Sequence, residues 1–394
     1  TKIRQVMTEE TKPFTDHHVP GVVHMSDFDL GRLNVAYYDV DYANYSQSTG
    51  EFQAWNSGWH YRNDAVDIEP NNDAINSNGY HIGYVQEGEW MNYTVNIADS
   101  ASYTARFRVA SEQAGGEFHL SLDGQDITQT QSVGSTNGWV NFEDLEIPEV
   151  ILYKGEHVLT FYIDDSPFNV SSVEFLTSGT IEEVDFYVLN GQTRADEKSL
   201  EVVFNHPVQP ESITGSTASF SVFVNGEERP INDVMMEDGK DRTIILLMED
   251  FKVYTDDIEV SYSGDMIKSF TGKNLAPFTG LAIRNTLPFR FILPKRIQAE
   301  DYFTMVGMGT EECTDLGGGR NLGWTDAGDY ADYLIYNHEE GFFEVEFRVA
   351  SLGSQGLIGI SLLDSDSAEV ELFTIATPPT GGWQTWTTIS ENIA

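Results

Sequence analysis

The chain has 394 residues, with 63 acidic against 22 basic side chains, a formal net charge of −41 and a pI near 4.2. A surface this anionic is repelled by phosphate backbones and anionic lipid, so nucleic-acid binding is excluded. With 40% hydrophobic residues, among them 7 Trp, 18 Tyr and 23 Phe, the chain can bury real cores.

No apolar run reaches the roughly 18 residues that span a bilayer, so no membrane insertion is expected. The chain opens Thr1-Lys2-Ile3, without an initiator Met or a leader, which reads as a processed piece of a longer protein. Cys313 is the single cysteine, so no intrachain disulfide or cysteine-based metal cluster can form. An excess of hydrated carboxylates suits an exported protein, secreted or on a bacterial cell surface.

In chain order, residues 1 to 19 read as a tail or linker remnant, with His17 and His18 solvated. Residues 20 to 177 then give short alternating runs cut by Gly, Asn and Asp turns. The clearest are Trp90 to Ile97, Tyr103 to Ala110, Glu117 to Leu122 and His157 to Ile163. Residues 178 to 290 change character. Val184 to Leu189, Leu200 to Phe204, Ser219 to Val224, Thr243 to Met248 and Ile258 to Tyr262 are spaced as in an immunoglobulin-like β-sandwich, read as a spacer. Residues 291 to 394 return to the first pattern. Helical periodicity is almost absent, and the fold class is all-β.

An internal repeat ties the two ends together. Gly83 to Val95 is echoed by Gly323 to Ile335, Phe107-Arg108-Val109-Ala110-Ser111 recurs as Phe347-Arg348-Val349-Ala350-Ser351, and Gly138-Trp139 recurs as Gly382-Trp383. The first copy runs on from Trp139 to Phe175, whereas the second ends at Ala394 soon after Trp383. Roughly two strands are missing from copy two, and the expectation is that the parent protein supplies them.

The chain carries no HExxH, no Gly-x-Ser-x-Gly elbow, no phosphate loop and no His or Cys cluster at metal spacing. Acid pairs such as Asp164-Asp165 or Glu87 and Glu89 are expected by chance among 63 acids. The aromatics are more informative. Tyr84 and Trp139 recur as Trp324 and Trp383, each following a Gly where a side chain projects from a turn. Two exposed rings can sandwich a pyranose, because the axial C–H face of a sugar is apolar and slightly positive while aromatic faces are negative.

The series Tyr61 to Glu69, Gly79 to Tyr84, Gly88-Glu89-Trp90, Gly138-Trp139 and Pro167-Phe168-Asn169-Val170 resembles a family 6 carbohydrate-binding module. Arg296 to Tyr302, Gly323-Trp324 and Thr380 to Trp386 repeat the resemblance in copy two. It implies two β-jelly rolls that bind polysaccharide in a cleft among the loops at one end. The implied sandwich rings are Tyr84 and Trp139, with Asn169 as hydrogen-bonding amide and Glu69 as the nearest acid. In copy two they are Trp324 and Trp383, with Glu311 or Glu312 as the acid and no counterpart of Asn169.

The resemblance also implies a second site on the concave sheet face at Trp90, replaced by Tyr330 in copy two. It further implies a structural calcium held in copy two by Gln298 and Glu300, hard oxygen ligands whose counterparts in copy one are His24 and Ser26. The last strand of copy one reads Ser171-Ser172, so its calcium site looks eroded. An aromatic insertion, with Tyr37, Tyr38, Tyr42, Tyr45, Phe52, Trp55 and Trp59, either extends the sugar surface or packs as a loop.

The expected function is non-catalytic binding of a β-linked polysaccharide by a monomer, with xylan, laminarin or another β-glucan, and agar as the substrates open to it. The alternative is the accessory region of a secreted glycoside hydrolase whose catalytic domain lies outside this sequence.

Overall fold

The computed structural model describes residues 11–40, 44–46, 51–53, 56–249, 253–337, 341–353, 356–363 and 369–393, with the backbone alone for 44–46 and 51–53. The chain divides into two compact units, Thr1–Leu287 and Pro288–Ala394.

The first part of unit one holds β1 (His17–Val19), β2 (Gly21–His24), β3 (Tyr37–Tyr38), β4 (Asn44–Ser46), β5 (Glu51–Gln53), β6 (Ile68–Pro70), β7 (Tyr80–Ile82) and β8 (Trp90–Ile97). It continues with β9 (Ala101–Ala110), β10 (Gly116–Leu122), β11 (Gln125–Asp126), β12 (Gln131–Val133), β13 (Glu143–Leu152), β14 (Gly155–Asp165) and β15 (Asn169–Gly179). One sheet runs β1-β8-β14-β10-β11, with β3 on β8 and β12 on β10; the other runs β13-β9-β15-β7-β6, with β2 on β15.

Alternation decides what lies between them. Met91, Tyr93, Val95 and Ile97 of β8 are buried while Trp90, Asn92 and Thr94 face outward. Phe107, Phe118, Phe161 and Phe168 pack ring on ring across the gap, with neighbouring centroids 4.7 to 6.3 Å apart.

Residues 17 to 19, read as tail, are a strand. His17–Val19 pairs in parallel with Val95–Ile97, His17 is buried, and its Nε2 lies 3.2 Å from the Asp27 carbonyl. Three residues are too short for alternation to register, and parallel pairing with a distant strand leaves no local signature.

The rest of unit one is a sandwich of two four-stranded antiparallel sheets. Its strands are β16 (Val188–Thr193), β17 (Ser199–Phe204), β18 (Phe220–Val224), β19 (Glu227–Arg229), β20 (Ile231–Met235), β21 (Thr243–Met248), β22 (Ile258–Tyr262) and β23 (Phe278–Ala282). The orders are β16-β17-β21-β20 and β19-β18-β22-β23, closed over a core that includes Leu200, Val202, Phe204, Val222, Ile244, Leu246 and Val260.

This sandwich is fastened to the first. Ile151, Ile181 and Val184 form a shared apolar cluster, and the buried Arg242 guanidinium donates to the Asn205 and Ile151 carbonyls at 2.5 and 3.0 Å. Asn190 Nδ2 donates to Asp126 at 2.8 Å, and Arg284 lies 3.8 Å from Asp164.

Unit two holds β24 (Phe291–Leu293), β25 (Thr304–Val306), β26 (Gly309–Glu312), β27 (Arg320–Gly323), β28 (Tyr330–Asp332), β29 (Ile335–Asn337), β30 (Phe343–Ser351), β31 (Gly356–Leu363), β32 (Glu369–Thr377) and β33 (Gly382–Ile393). Its pairings repeat those of copy one: β24 is parallel to β29 as β1 is to β8, β30 pairs β33 as β9 pairs β13, and β26 pairs β27 as β6 pairs β7. Counterparts of β14 and β15, which knit each sheet together in copy one, do not occur among the described residues. The sheets therefore stand as two-stranded pieces, and Leu357, Leu363 and Val370 are exposed.

Candidate functional site: an aromatic loop cleft

Strand β7 ends at Ile82, and the chain turns sharply through Gly83 to Tyr84. Tyr84 sits in the left-handed region at φ 51° and is 46% exposed; its counterpart Trp324 has φ 57° and is 66% exposed. A bulky non-glycine residue at positive φ is uncommon and costs on the order of 1–3 kcal/mol. Two copies that hold an aromatic in this conformation, with the ring in solvent, give up stability for the position of a ring.

The second ring is Trp139, 39% exposed, matched by Trp383 at 62%. Its loop is held by a clasp found twice. Thr136 Oγ1 accepts from Ser111 N at 2.9 Å, Thr136 N donates to the Ser111 carbonyl at 2.7 Å, and the Thr136 hydroxyl lies 3.2 Å from the Gly138 carbonyl. In copy two Thr380 makes the same contacts with Ser351 and Gly382, at 2.8, 2.8 and 3.2 Å. Thr-x-Gly-Trp and the Ser after Val-Ala recur in the sequence, so the signal was present, but spacing did not tie the two segments together.

The ground beside Gly83 is polar. A Cβ placed on Gly83 would lie 3.0 Å from Asn169 Oδ1 and 3.1 Å from Glu69 Oε2, so both groups converge on that glycine. Asn169, the first residue of β15, donates from Nδ2 to the Trp139 carbonyl at 2.8 Å, which links the floor to the second aromatic loop. Glu69 stands opposite His81 across the β6–β7 pair, with Oε2 3.5 Å from Nε2. His81 also packs edge-on against Phe142 at 5.3 Å. Burial, then the charges of Glu69 and Asp67, push the Tyr84 hydroxyl up, so it stays protonated and able to donate.

In copy two the same cross-strand position pairs Glu311 with Asn321, which selects Glu311 over Glu312 as the counterpart of Glu69. Gln384 occupies the floor there, its amide nitrogen 3.2 Å from Glu311 Oε1 and 3.1 Å from Asn321 Oδ1.

Trp90 is half-buried on the outward face of its sheet, in a row with Tyr162 and His119. Centroids are 6.4 Å apart for Trp90–Tyr162 and 4.9 Å for Tyr162–His119, the latter stacked at 9°. Tyr330 is exposed on β28. His119 lies between two carboxylates, Asp164 at 2.7 Å and Asp126 at 3.4 Å. Burial lowers its pKa, but hydrogen bonds to both acids together with their charges outweigh burial and raise it to about 9.

Where copy one has His24 and Ser26, Asn78 Nδ2 donates to Ser26 Oγ at 2.8 Å and to Asp27 Oδ1 at 2.9 Å, and Tyr61 donates to the same Asp27 oxygen at 2.5 Å. In copy two Glu300 Oε1 accepts from the Arg320 backbone N–H at 2.9 Å. Among the described residues no group of three or more acidic, His or Cys side chains is arranged to hold a metal ion. Of the insertion, Tyr37 is buried edge-on against Phe28 at 5.3 Å and Trp59 stacks on His60. Tyr42, Trp55 and the side chains of Tyr45 and Phe52 lie outside the described residues.

An all-β sandwich with exposed aromatics on its loops over a polar floor is the architecture of a carbohydrate-binding module. The family description "Carbohydrate binding module (family 6)" matches residues 58–177 and 298–394, over half of the chain, and the protein belongs to that family.

Among its relatives are the clotting factor G alpha subunit of Tachypleus tridentatus, 36% identical over 100 residues, which are 25% of this chain and 14% of the relative. Another is the beta-agarase AgaA of Microbulbifer thermotolerans, 30% identical over 79 residues, 20% of this chain and 18% of the relative. The match thus spans under a fifth of either relative.

Similar solved structures include the C-terminal family 6 module of the laminarinase LamC from Zobellia galactanivorans, at 29% identity over 29% of this chain and 88% of that one, TM-score 0.26. The module CBM6cm-2 of Cellvibrio mixtus lichenase 5A, solved with cellotriose, matches at 25% identity over 29% and 87%, TM-score 0.26. Among the described residues no helix is long and apolar enough to cross a membrane.

Proposed function

We propose that the chain binds β-linked polysaccharide without catalysis, through Tyr84 and Trp139 over Glu69 and Asn169 in copy one, and through Trp324 and Trp383 in copy two. The observation that carries this is the aromatic at left-handed φ in both copies, 51° at Tyr84 and 57° at Trp324, a costly conformation that leaves the ring in solvent. Each stacked ring contributes about 1 kcal/mol beyond its area, so a single cleft binds weakly and two clefts on one chain add avidity when a polymer reaches both.

Affinity electrophoresis in gels containing laminarin, xylan or agarose tests it. Retardation by one of these polymers that weakens in Trp139→Ala and vanishes in the double variant with Trp383→Ala supports the reading; retardation unchanged in the double variant removes it.

The likeness to a beta-agarase favours an accessory role in a secreted glycoside hydrolase, acting as a monomer that carries the enzyme to its polymer. The row of Trp90, Tyr162 and His119 is a second candidate surface for the same glycan. For calcium, Gln298 and Glu300 supply the hard oxygen donors such an ion takes, whereas copy one fills the matching place with the Asn78 amide. A rise in the melting temperature of the second unit on adding calcium, absent in Glu300→Gln, supports that site.

A further inference from the structure

The chain holds four Asn-Gly pairs, at Asn78, Asn137, Asn190 and Asn225. In such a pair the glycine backbone nitrogen can attack the asparagine side-chain carbonyl, because no Cβ blocks the approach and the glycine backbone turns freely. What separates the four is whether the amide and the attacking nitrogen are free to meet.

Three are tied down. Asn78 Nδ2 donates to Ser26 Oγ and Asp27 Oδ1 at 2.8 and 2.9 Å, its Oδ1 accepts from Tyr80 N at 3.1 Å, and Gly79 N donates to Ser77 Oγ at 3.0 Å. Asn190 lies in β16 with its amide on Asp126 at 2.8 Å, and Gly191 stands in the ladder opposite Val202. Asn225 donates to Asp256 Oδ1 at 2.8 Å and accepts from Asp257 N at 3.0 Å.

Asn137 is different. It is exposed, it lies between the Thr136 clasp and Trp139, and its side-chain amide has no hydrogen-bond partner among the described residues, only its backbone being engaged. The Gly138 N–H reaches the Ser111 carbonyl at 3.5 Å, beyond the ordinary length of such a bond. Backbone conformation does not separate the cases, since Asn137 and Asn225 are both left-handed, at φ 61° and 53°. For a residue with a Cβ that region lies above the ordinary ones, so the backbone turn that brings Gly138 N to Asn137 Cγ costs Asn137 little.

We propose that Asn137 is a site of spontaneous deamidation that disables the first cleft, the loss of binding resting on that cleft being a sugar site. Gly138 N forms a bond to Asn137 Cγ, the Cγ–Nδ2 bond breaks, and Nδ2 leaves as ammonia with the proton given up by Gly138. Water then opens the cyclic imide. Opening at Cγ restores the chain with an aspartate at 137; opening at the main-chain carbonyl leaves an isoaspartate, whose backbone runs through the side chain and is one methylene longer.

The added methylene falls between two fixed points, Thr136, held on Ser111 at 2.7 and 2.9 Å, and the Trp139 carbonyl, held by Asn169 at 2.8 Å. A longer chain cannot keep both, and Trp139 is displaced. The aspartate product instead sets a new negative charge beside the ring. Copy two carries its own control: Gly381 stands at the position of Asn137, at φ 87°, and has no side-chain carbonyl to attack.

The test uses the full chain carrying Trp383→Ala to silence the second cleft, with and without Asn137→Gly, fresh and after storage at mildly alkaline pH. Peptide mapping by mass spectrometry reads conversion at each asparagine. Asn137 is expected to convert at least about tenfold faster than Asn78 or Asn225, whose amides must first break two or more hydrogen bonds. Conversion at Asn137 no faster than at those two overturns the proposal.

Binding is read in gels containing laminarin, xylan or agarose, each lane normalised to a polymer-free gel because deamidation itself adds charge. Retardation of the stored protein is expected to fall in proportion to conversion, while stored Asn137→Gly keeps the retardation of its own fresh sample. Full retardation of converted protein, or an equal loss in Asn137→Gly, overturns the disabling of the cleft. If fresh protein is retarded by none of the polymers, the sugar reading of the cleft fails instead. The peptide map still decides the modification, and the Trp139 indole N–H signal in NMR decides its consequence: it must shift in the converted fraction, and a signal that stays in place overturns the displacement.

Discussion

Arg108 and Asp73 form a two-pronged ion pair, Nε to Oδ2 at 2.8 Å and Nη2 to Oδ1 at 3.0 Å, and Arg348 grips Asp315 in the same way in the second copy. Each pair ties the middle of the sheet to the segment that follows the cleft's acidic residue. In copy one both side chains are buried, at 7% and 8% exposure. Arg108→Leu leaves Asp73 desolvated without its partner, so the first jelly roll is expected to lose about 3–5 kcal/mol, read as a fall in denaturation midpoint. Arg348→Leu, in a pair open to solvent, is expected to move the midpoint far less.

Tyr84→Gly separates stability from binding. Glycine adopts φ 51° without strain, so the variant is expected to unfold at equal or higher denaturant while glycan retardation in gels is lost. A variant that binds as before would place the sugar elsewhere.

Gly83→Ala tests the floor. The added methyl meets Asn169 Oδ1 and Glu69 Oε2 at 3.0 and 3.1 Å, and the backbone at Gly83 is not in the left-handed region. Affinity for the bound polymer is expected to drop at least about tenfold, with the melting temperature almost unchanged. Gly79→Ala, where a Cβ meets nothing within 4 Å but φ is 96°, is expected to do the reverse.

His119 gives a pH-dependent stability. Its pKa is about 9 in the folded chain against 6.5 for the free side chain, because the hydrogen bonds and charges of Asp126 and Asp164 outweigh burial. A raised folded value means the stabilisation is complete below about pH 6.5 and is lost as pH climbs to about 9. Thermal melts of the first unit are expected to fall by several degrees across that window. Asp164→Asn should flatten the decline.

The β-class, the two-copy organisation and the exposed rings were legible because alternation and local repetition are written in consecutive residues. Strand β1 was not, since three residues pairing in parallel with Val95–Ile97 carry no periodic mark. His81 escaped for a different reason: the repeat directs attention to residues that recur, and the other copy has Asn321 there. The fastening of the middle sandwich was equally hidden, because Arg242 reaches carbonyls of Asn205 and Ile151 that any residue would offer.

The left-handed turn at Tyr84 has a kinetic meaning. The ring's orientation is set when the chain folds, and an arriving polymer finds a flat surface already turned outward. Association is therefore expected to run near the diffusion-controlled range for such encounters, with temperature dependence close to that of solvent viscosity, and weak affinity to reside in rapid departure. Such a surface lets a chain exchange rapidly among sites on a long polymer while remaining associated with it.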